Sequence, residues 1–190
     1  MRILVACEYS GRVRDAFLAR GHDAISCDLE PTDVPGPHHQ GDVIPLLSQP
    51  WDLVVAFPPC TYLSASGIHW NSRRPEREAL TEEAAAFFLA FTRANSPKIA
   101  IENPIGVMST RYRKPDQIVQ PWMFGEDASK RTCLWLKNLP PLVSTNPIVK
   151  KLYANQTPSG QNKLGPSPHR AKIRSLTYQG IADAMASQWG

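Results

Sequence analysis

Short apolar runs, each ended by an acid or a proline, set the terms on which this chain can fold. Arg2–Cys7, rich in Ile and Val, meets Glu8, and Ala24–Cys27 meets Asp28. Trp51–Phe57 (Trp-Asp-Leu-Val-Val-Ala-Phe) is halted by Pro58-Pro59, and Lys98–Glu102 closes on an acid of its own. Runs this short and this apolar read as buried strands, and Thr132–Leu136 reads as another. Helical spacings lie between them. Val13, Phe17 and Leu18 recur within Gly11–Arg20. Leu80, Ala84, Phe87, Phe88 and Phe91 form a stripe within Pro75–Ala94, whose N-terminal half carries Glu76, Glu78, Glu82 and Glu83. Ile181, Ala182, Met185 and Trp189 share one face of Tyr178–Trp189. The stretch from Glu30 to Gln40 holds three prolines and a glycine and reads as loop. Strand and helix alternate, so the expected class is α/β with a mostly parallel sheet.

A length of 190 residues suits one domain, 1–190, with a real core. No apolar run approaches ~18 residues, so no membrane span is expected, and the first apolar stretch meets Glu8 too soon for a signal peptide. Cys7, Cys27, Cys60 and Cys133 lie far apart with no CxxC pair, which argues against a disulfide scaffold or a zinc site and for a reduced, cytoplasmic compartment. His38-His39 has no spaced Cys or His to complete a metal set, so no metal is expected. The charge is uneven. Residues 1–129 hold 12 Lys/Arg and 16 Asp/Glu, a sum of −4, whereas residues 130–190 hold 9 Lys/Arg against Asp183, a sum of +8. A basic last third on an acidic body is what a polyanion-binding face needs. Its cations are Lys130, Lys150, Lys151, Lys163, Arg170, Lys172 and Arg174, with Arg131 and Lys137. Most of them fall in or beside 138–175, an irregular stretch of Pro, Asn, Ser, Gly and basic residues read as a mobile insertion.

In open α/β sheets ligands sit beyond the carboxyl ends of the strands. The residues just past each run are therefore candidates for a site: Glu8, Tyr9, Ser10 and Gly11; Asp28; Asp42 in Gly41-Asp42-Val43; Pro58-Pro59-Cys60; and Glu102-Asn103-Pro104. Cys60 comes after two prolines, so its loop is stiff and holds a nucleophile at little further entropic cost. The other cysteines read as small buried hydrophobes. Tyr62 and Trp70, near Cys60, either stack on a base or cover core.

In this order these residues resemble the S-adenosylmethionine-dependent DNA cytosine-5 methyltransferases. The likeness rests on Cys7–Gly11, Asp28, Gly41-Asp42-Val43, Pro59-Cys60, Glu102-Asn103 and Lys130-Arg131-Thr132, over roughly residues 3–136, with a weaker match in the closing helix. It extends to short proteins of this kind often encoded by bacteriophages, in which Lys-Arg-Thr-Cys-Leu-Trp-Leu recurs. The chain departs from the pattern in four places. Gly11 alone remains of the glycine-rich first turn, with Glu8 and Tyr9 in glycine-like positions. Thr61 comes next after the cysteine, Ser129 precedes the Lys-Arg pair, and the large target-recognition domain is absent, leaving only 138–175 in its place.

The resemblance implies a Rossmann-like methyltransferase fold and methyl transfer to cytosine C5 in DNA. Cys60 would add to C6, Glu102 would hold the base at N3, Arg131 would bind O2 and favour the thiolate, and Asn103 would orient the loop. For S-adenosylmethionine it implies Asp28 at the ribose hydroxyls and Asp42 at the adenine amine. Glu8, Ser10 and Gly11 would lie at the methionine end, with Pro58 beside them. The target base must be flipped from a duplex or already be single-stranded. Low sequence specificity is expected, since few residues remain to read base edges. A second copy or a recognition subunit is the expected partner besides DNA, in a bacterial or phage-infected cytoplasm. An amino-methyltransferase is disfavoured, because Phe57 in Phe57-Pro58-Pro59-Cys60 cannot accept a hydrogen bond from an amine. Two other readings stay open: a cysteine-dependent enzyme of free pyrimidine nucleotides, and a non-catalytic DNA- or partner-binding relative.

Overall fold

Every side chain from Ile3 to Ala6 is fully buried, which requires both faces of the sheet around it to be covered. The computed structural model describes residues 1–68, 70–167 and 170–190. Its elements run β1 (Arg2–Ala6), α1 (Arg12–Leu18), β2 (Asp23–Asp28), β3 (His38–Gln40), β4 (Leu53–Ala56), α2 (Ala65–Ile68), α3 (Glu76–Phe91), β5 (Lys98–Pro104), α4 (Met108–Arg111), β6 (Gln117–Val119), β7 (Thr132–Lys137), α5 (Arg170–Ser175) and α6 (Gln179–Trp189). Alternation along the strands sorts the core into two layers. Ile3, Val5, Leu53 and Val55 pack with Val13 and Phe17 of α1 and Ile181, Met185 and Trp189 of α6. Leu4, Ala6, Val54 and Ala56 face the other way, against Ala85, Phe88 and Phe91 of α3.

The strands lie in the order β3-β2-β1-β4-β5-β7-β6. β3, β2, β1, β4 and β5 pair in parallel, and β7 enters antiparallel between β5 and β6. The expected Rossmann-like α/β fold, a mostly parallel sheet flanked by helices, is the fold that forms. The order reverses between β1 and β4, the switch point beyond which open α/β sheets hold their ligands.

Four expectations need correction. The stretch 30–40 is not all loop, since His38–Gln40 pairs with Ser26–Asp28 as an edge strand. β6 likewise has no counterpart in the sequence pattern. Strands of three residues are too short to show a period, and each is held by a single neighbour. The buried line of α3 is Thr81, Ala85, Phe88 and Phe91, with Leu80, Ala84 and Phe87 at its margins. A polar Thr81 hides that line from an apolar pattern, and its hydroxyl is satisfied by the Arg77 carbonyl at 2.9 Å. Finally, the insertion read as 138–175 ends in a helix, α5. Its first part, up to residue 167, carries only isolated bridges such as Gln156 to Asn162. Residues 168 and 169 lie outside the described residues.

Candidate functional site

Because β7 runs antiparallel to β5, its first residues meet the last ones of β5. Glu102 pairs with Leu134, Asn103 with Cys133 and Pro104 with Thr132. The segment Lys130-Arg131-Thr132 therefore arrives at the edge of the sheet where β1 to β5 end. One rim thus gathers Cys7–Gly11, Asp28, Asp42, Pro58–Cys60, Glu102-Asn103 and Lys130–Thr132.

On the β4–β5–β7 side, Cys60 alone of the four cysteines is exposed as a residue. Its loop turns tightly, the Cys60 carbonyl accepting the N–H groups of Leu63 and Ser64 at 3.1 and 3.0 Å. Surrounding chain still crowds the thiol. Burial pushes its pKa up, the Glu102 charge pushes it further, and Lys130 and Arg174 pull it back. Glu102 is raised above the ordinary carboxyl value by burial, against the opposing pull of Lys130 and a hydrogen bond with Thr132. Cys27 and Cys133, by contrast, are core thiols pushed up to about 11, chiefly by burial.

Asn103 is buried and donates from Nδ2 to the Pro58 carbonyl at 2.8 Å, tying β5 to the loop that carries Cys60. Asn103→Ala is expected to lower stability by about 1–3 kcal/mol, because the Pro58 carbonyl would be left buried without a donor. An unfolding midpoint in urea checks this, and an unchanged midpoint would count against the tie.

On the β1–β2–β3 side the chain turns at Cys7, whose φ of 57° places a non-glycine residue in the left-handed region. Burial, then the charges of Asp28, Cys27 and Asp42, push the Cys7 thiol far up, so these groups lie close together. Asp28 is half-buried and accepts the Glu30 N–H at 3.0 Å; Asp42 is exposed and accepts that of Ile44 at 3.0 Å. Each thus spends one carboxylate oxygen on its own loop. Glu8 is buried and takes the Ser10 hydroxyl on Oε1, while its Oε2 is buried without a partner. Gly11, at φ 78°, starts α1 where a Cβ would lie 2.4 Å from Val34 and 2.5 Å from Arg14.

Burial holds the Glu8 carboxyl above its ordinary value, against the Ser10 hydroxyl, the Arg14 charge and two backbone N–H groups. The native state therefore binds this proton more tightly than the unfolded chain does. The resulting stability is full below the unfolded carboxyl value and is lost as pH rises through the raised native value. Glu8→Gln, which never ionises, is expected to gain about 1 kcal/mol over the native protein near pH 7 and nothing near pH 4. Urea melts at both values test this, and a variant weaker at both would refute it.

Arg14, which the sequence pattern did not mark, is fully buried on α1. All five of its N–H groups find acceptors. Nε meets Asp15 at 2.7 Å, Nη1 meets the hydroxyls of Ser26 and Thr32 at 3.2 Å, and Nη2 meets the carbonyls of Val34 and Pro35 at 3.3 Å. This guanidinium pins the loop between β2 and β3. His38 is occupied in the same region, with Nδ1 at 2.9 Å from Ser26 Oγ and Nε2 at 3.0 Å from the Glu30 carbonyl.

α5 lies across the rim. The Tyr9 hydroxyl donates to the Lys172 carbonyl at 3.1 Å, Lys172 Nζ sits 4.9 Å from the Tyr9 ring centre and 2.9 Å from Asp33, and Lys130 Nζ donates to the Arg174 carbonyl at 2.8 Å. Lys130, Lys172 and Arg174 are thereby drawn to the site, and Arg170 shares their helix. Lys150 and Lys163 are held elsewhere, on Asp127 at 2.6 Å and on the Ala154 carbonyl at 3.1 Å; Lys151 is exposed. Arg131 is exposed, whereas Lys130 acts on both Cys60 and Glu102. The slot between Phe57, Glu102, Thr132 and Tyr178 is about 10 Å³, room for about one water, and Ile181 and Met185 of α6 close its far side. A larger cavity of about 460 Å³ opens to one side, where α1, α6 and the 32–34 loop meet.

No family model matches this chain, and no curated protein matches it. Among solved structures it is similar to one from E. coli, described as a candidate DNA modification methyltransferase encoded within a prophage. The identity is 15% and the TM-score 0.47, over 70% of this chain and 45% of that one. This chain thus spans less than half the length of the protein it resembles. A likeness so distant carries no weight for activity, and the fold stands on its own strand order. Among the described residues no helix is long and apolar enough to cross a membrane.

Proposed function

We propose that this protein transfers a methyl group from S-adenosylmethionine to C5 of cytosine in DNA through a covalent Cys60–C6 adduct, with low sequence specificity. One observation carries the reading. A cysteine, a carboxyl and an ammonium, from three different strand ends, lie close enough for each charge to move the thiol's pKa. Lys130, whose charge reaches Cys60 and Glu102, takes the cationic role that the resemblance implies for Arg131.

The donor set at β1–β3 suits the cosubstrate. Asp28 and Asp42 each keep a carboxylate oxygen for hydroxyl and amine donors, and Glu8 Oε2 is a buried acceptor lacking a donor. Asp28 would hold the ribose, Asp42 the adenine amine, and Glu8 with the Ser10–Gly11 backbone the methionine end, with Pro58 alongside. When bound, S-adenosylmethionine supplies an electrophilic methyl group.

The chain's own groups do the rest. Glu102, kept protonated by burial, places no charge against the Cys60 thiolate before attack, and its proton passes to N3 as Cys60 adds to the ring. Cys60 Sγ bonds to C6, and the C5–C6 electron pair moves onto C5, which takes the methyl. Loss of the C5 proton to water returns that pair to C5–C6, the S–C6 bond breaks, and Cys60 leaves as thiolate while N3 returns its proton to Glu102. Lys130 and Arg174 stabilise the thiolate at both ends of the sequence.

The test is incubation with DNA containing 5-fluorocytosine and S-adenosylmethionine. Fluorine at C5 cannot leave as a proton, so the adduct is expected to accumulate and to be seen as a mass shift on the Cys60 peptide. DNA binding without any adduct would overturn this reading in favour of a non-catalytic binder.

A further inference from the structure

Lys130 and Arg174 are not the only cations near the nucleophile. Between Cys60 and α3 the chain carries Tyr62, Trp70, Arg73, Arg74 and Arg77, and these side chains pair ring with cation. The guanidinium carbons of Arg73 and Arg74 lie 5.4 and 5.7 Å from the Trp70 ring centre, and that of Arg77 lies 4.8 Å from Tyr62. Trp70 remains 41% exposed. Nearby acids do not cancel the cations. Arg111 takes Glu82 at 2.5 Å and Glu78 at 3.0 Å, and Asn71 takes Glu78 at 2.9 Å, whereas Arg73 and Arg74 enter no ion pair among the described residues.

We infer that Tyr62, Trp70, Arg73, Arg74 and Arg77 form a platform for a single-stranded polynucleotide, delivering an unpaired pyrimidine to Cys60. The inference rests on the DNA reading above and names its substrate class. Indole and guanidinium planes offer faces for bases to stack on, and the same arginines neutralise phosphates. In a duplex those base faces are buried against each other, so an exposed ring flanked by arginines has little to gain from one. Tyr62 lies two residues beyond Cys60, so nucleotides on the platform flank the base that the thiol attacks. The two features belong to one loop.

The test uses the full chain and fluorescence anisotropy with a labelled oligodeoxycytidylate, alone and annealed to its complement, across a salt series. The single strand is expected to bind more tightly. Trp70→Ala should weaken it about tenfold or more, since stacking is worth that much per base, and Trp70→Phe should keep most of the affinity. Arg73→Gln with Arg74→Gln should lower the salt slope by about 1.4, two phosphates at about 0.7 each. Native single-strand affinity in Trp70→Ala, lost instead in Lys150→Gln with Lys151→Gln, would overturn the platform and leave the DNA reading standing. So would a 5-fluorocytosine adduct formed only on duplex. Equal, Trp70-dependent binding of polyglutamate would also overturn it, pointing to an acidic protein partner. Trp70-dependent single-strand binding with no adduct on either form would keep the platform and remove the methyl-transfer reading.

Discussion

Cys60→Ser is expected to form no covalent adduct with 5-fluorocytosine DNA and to keep less than about a thousandth of the methyl-transfer rate, while binding DNA as the native protein does. The reason is local. A serine hydroxyl in the same crowded, Glu102-facing position ionises far less readily than a thiol, and no other cysteine sits at the β4 end. The environment makes a second, finer claim. Burial and Glu102 hold the Cys60 thiol above its ordinary value, with Lys130 opposing them. Alkylation of Cys60 by iodoacetamide should therefore rise with pH later than for an unperturbed thiol. Glu102→Gln should move that rise to lower pH and Lys130→Met to higher pH. Shifts in the reverse directions, or none, would show that the three groups do not work as one site.

Arg14→Met is expected to cost about 3 kcal/mol of folding stability, read from the urea midpoint. The figure reflects the guanidinium itself, fully buried, whose loss strips the part-buried carbonyls of Val34 and Pro35 of donors and two hydroxyls and a carboxylate of a charged partner. Arg14→Lys should recover little of it, since one ammonium cannot reach five acceptors spread as a planar fork. The 32–35 loop should become the first site of proteolytic cutting in both variants. A midpoint within experimental error of native would mean that the guanidinium is incidental to the loop.

The parts of this molecule that are legible in its sequence are those where one residue type stands against its surroundings. An acid or a proline at the end of an apolar run marks a strand end whatever the partner strands are, which is why Glu8, Asp28, Pro58 and Glu102 can be found. Cys60 stands out for the same reason. Arg14 does not, because a cation within a helical run looks like a surface residue until the loop that wraps it is known. Its five acceptors come from residues 15, 26, 32, 34 and 35, which no short window brings together. The docking of α5 is hidden likewise, since Tyr9 and Asp33 meet Lys172 across most of the chain. The choice of Arg131 over Lys130 has a different origin. Both residues precede β7, and which of them lies nearer Cys60 depends on how β7 pairs with β5, a tertiary fact.

That pairing also governs how the chemistry can change. Matching Asn103 to Cys133 also sets where the Lys130–Arg131 segment just ahead of β7 meets the end of β4. Sliding β7 by a single residue would move that segment along the rim and carry the Thr132 hydroxyl away from Glu102. A one-residue insertion or deletion just ahead of Thr132 is thus a small genetic step that changes the charge beside Cys60 while leaving the strands in place. In this fold the surroundings of Cys60 are set in part by an alignment between two strands.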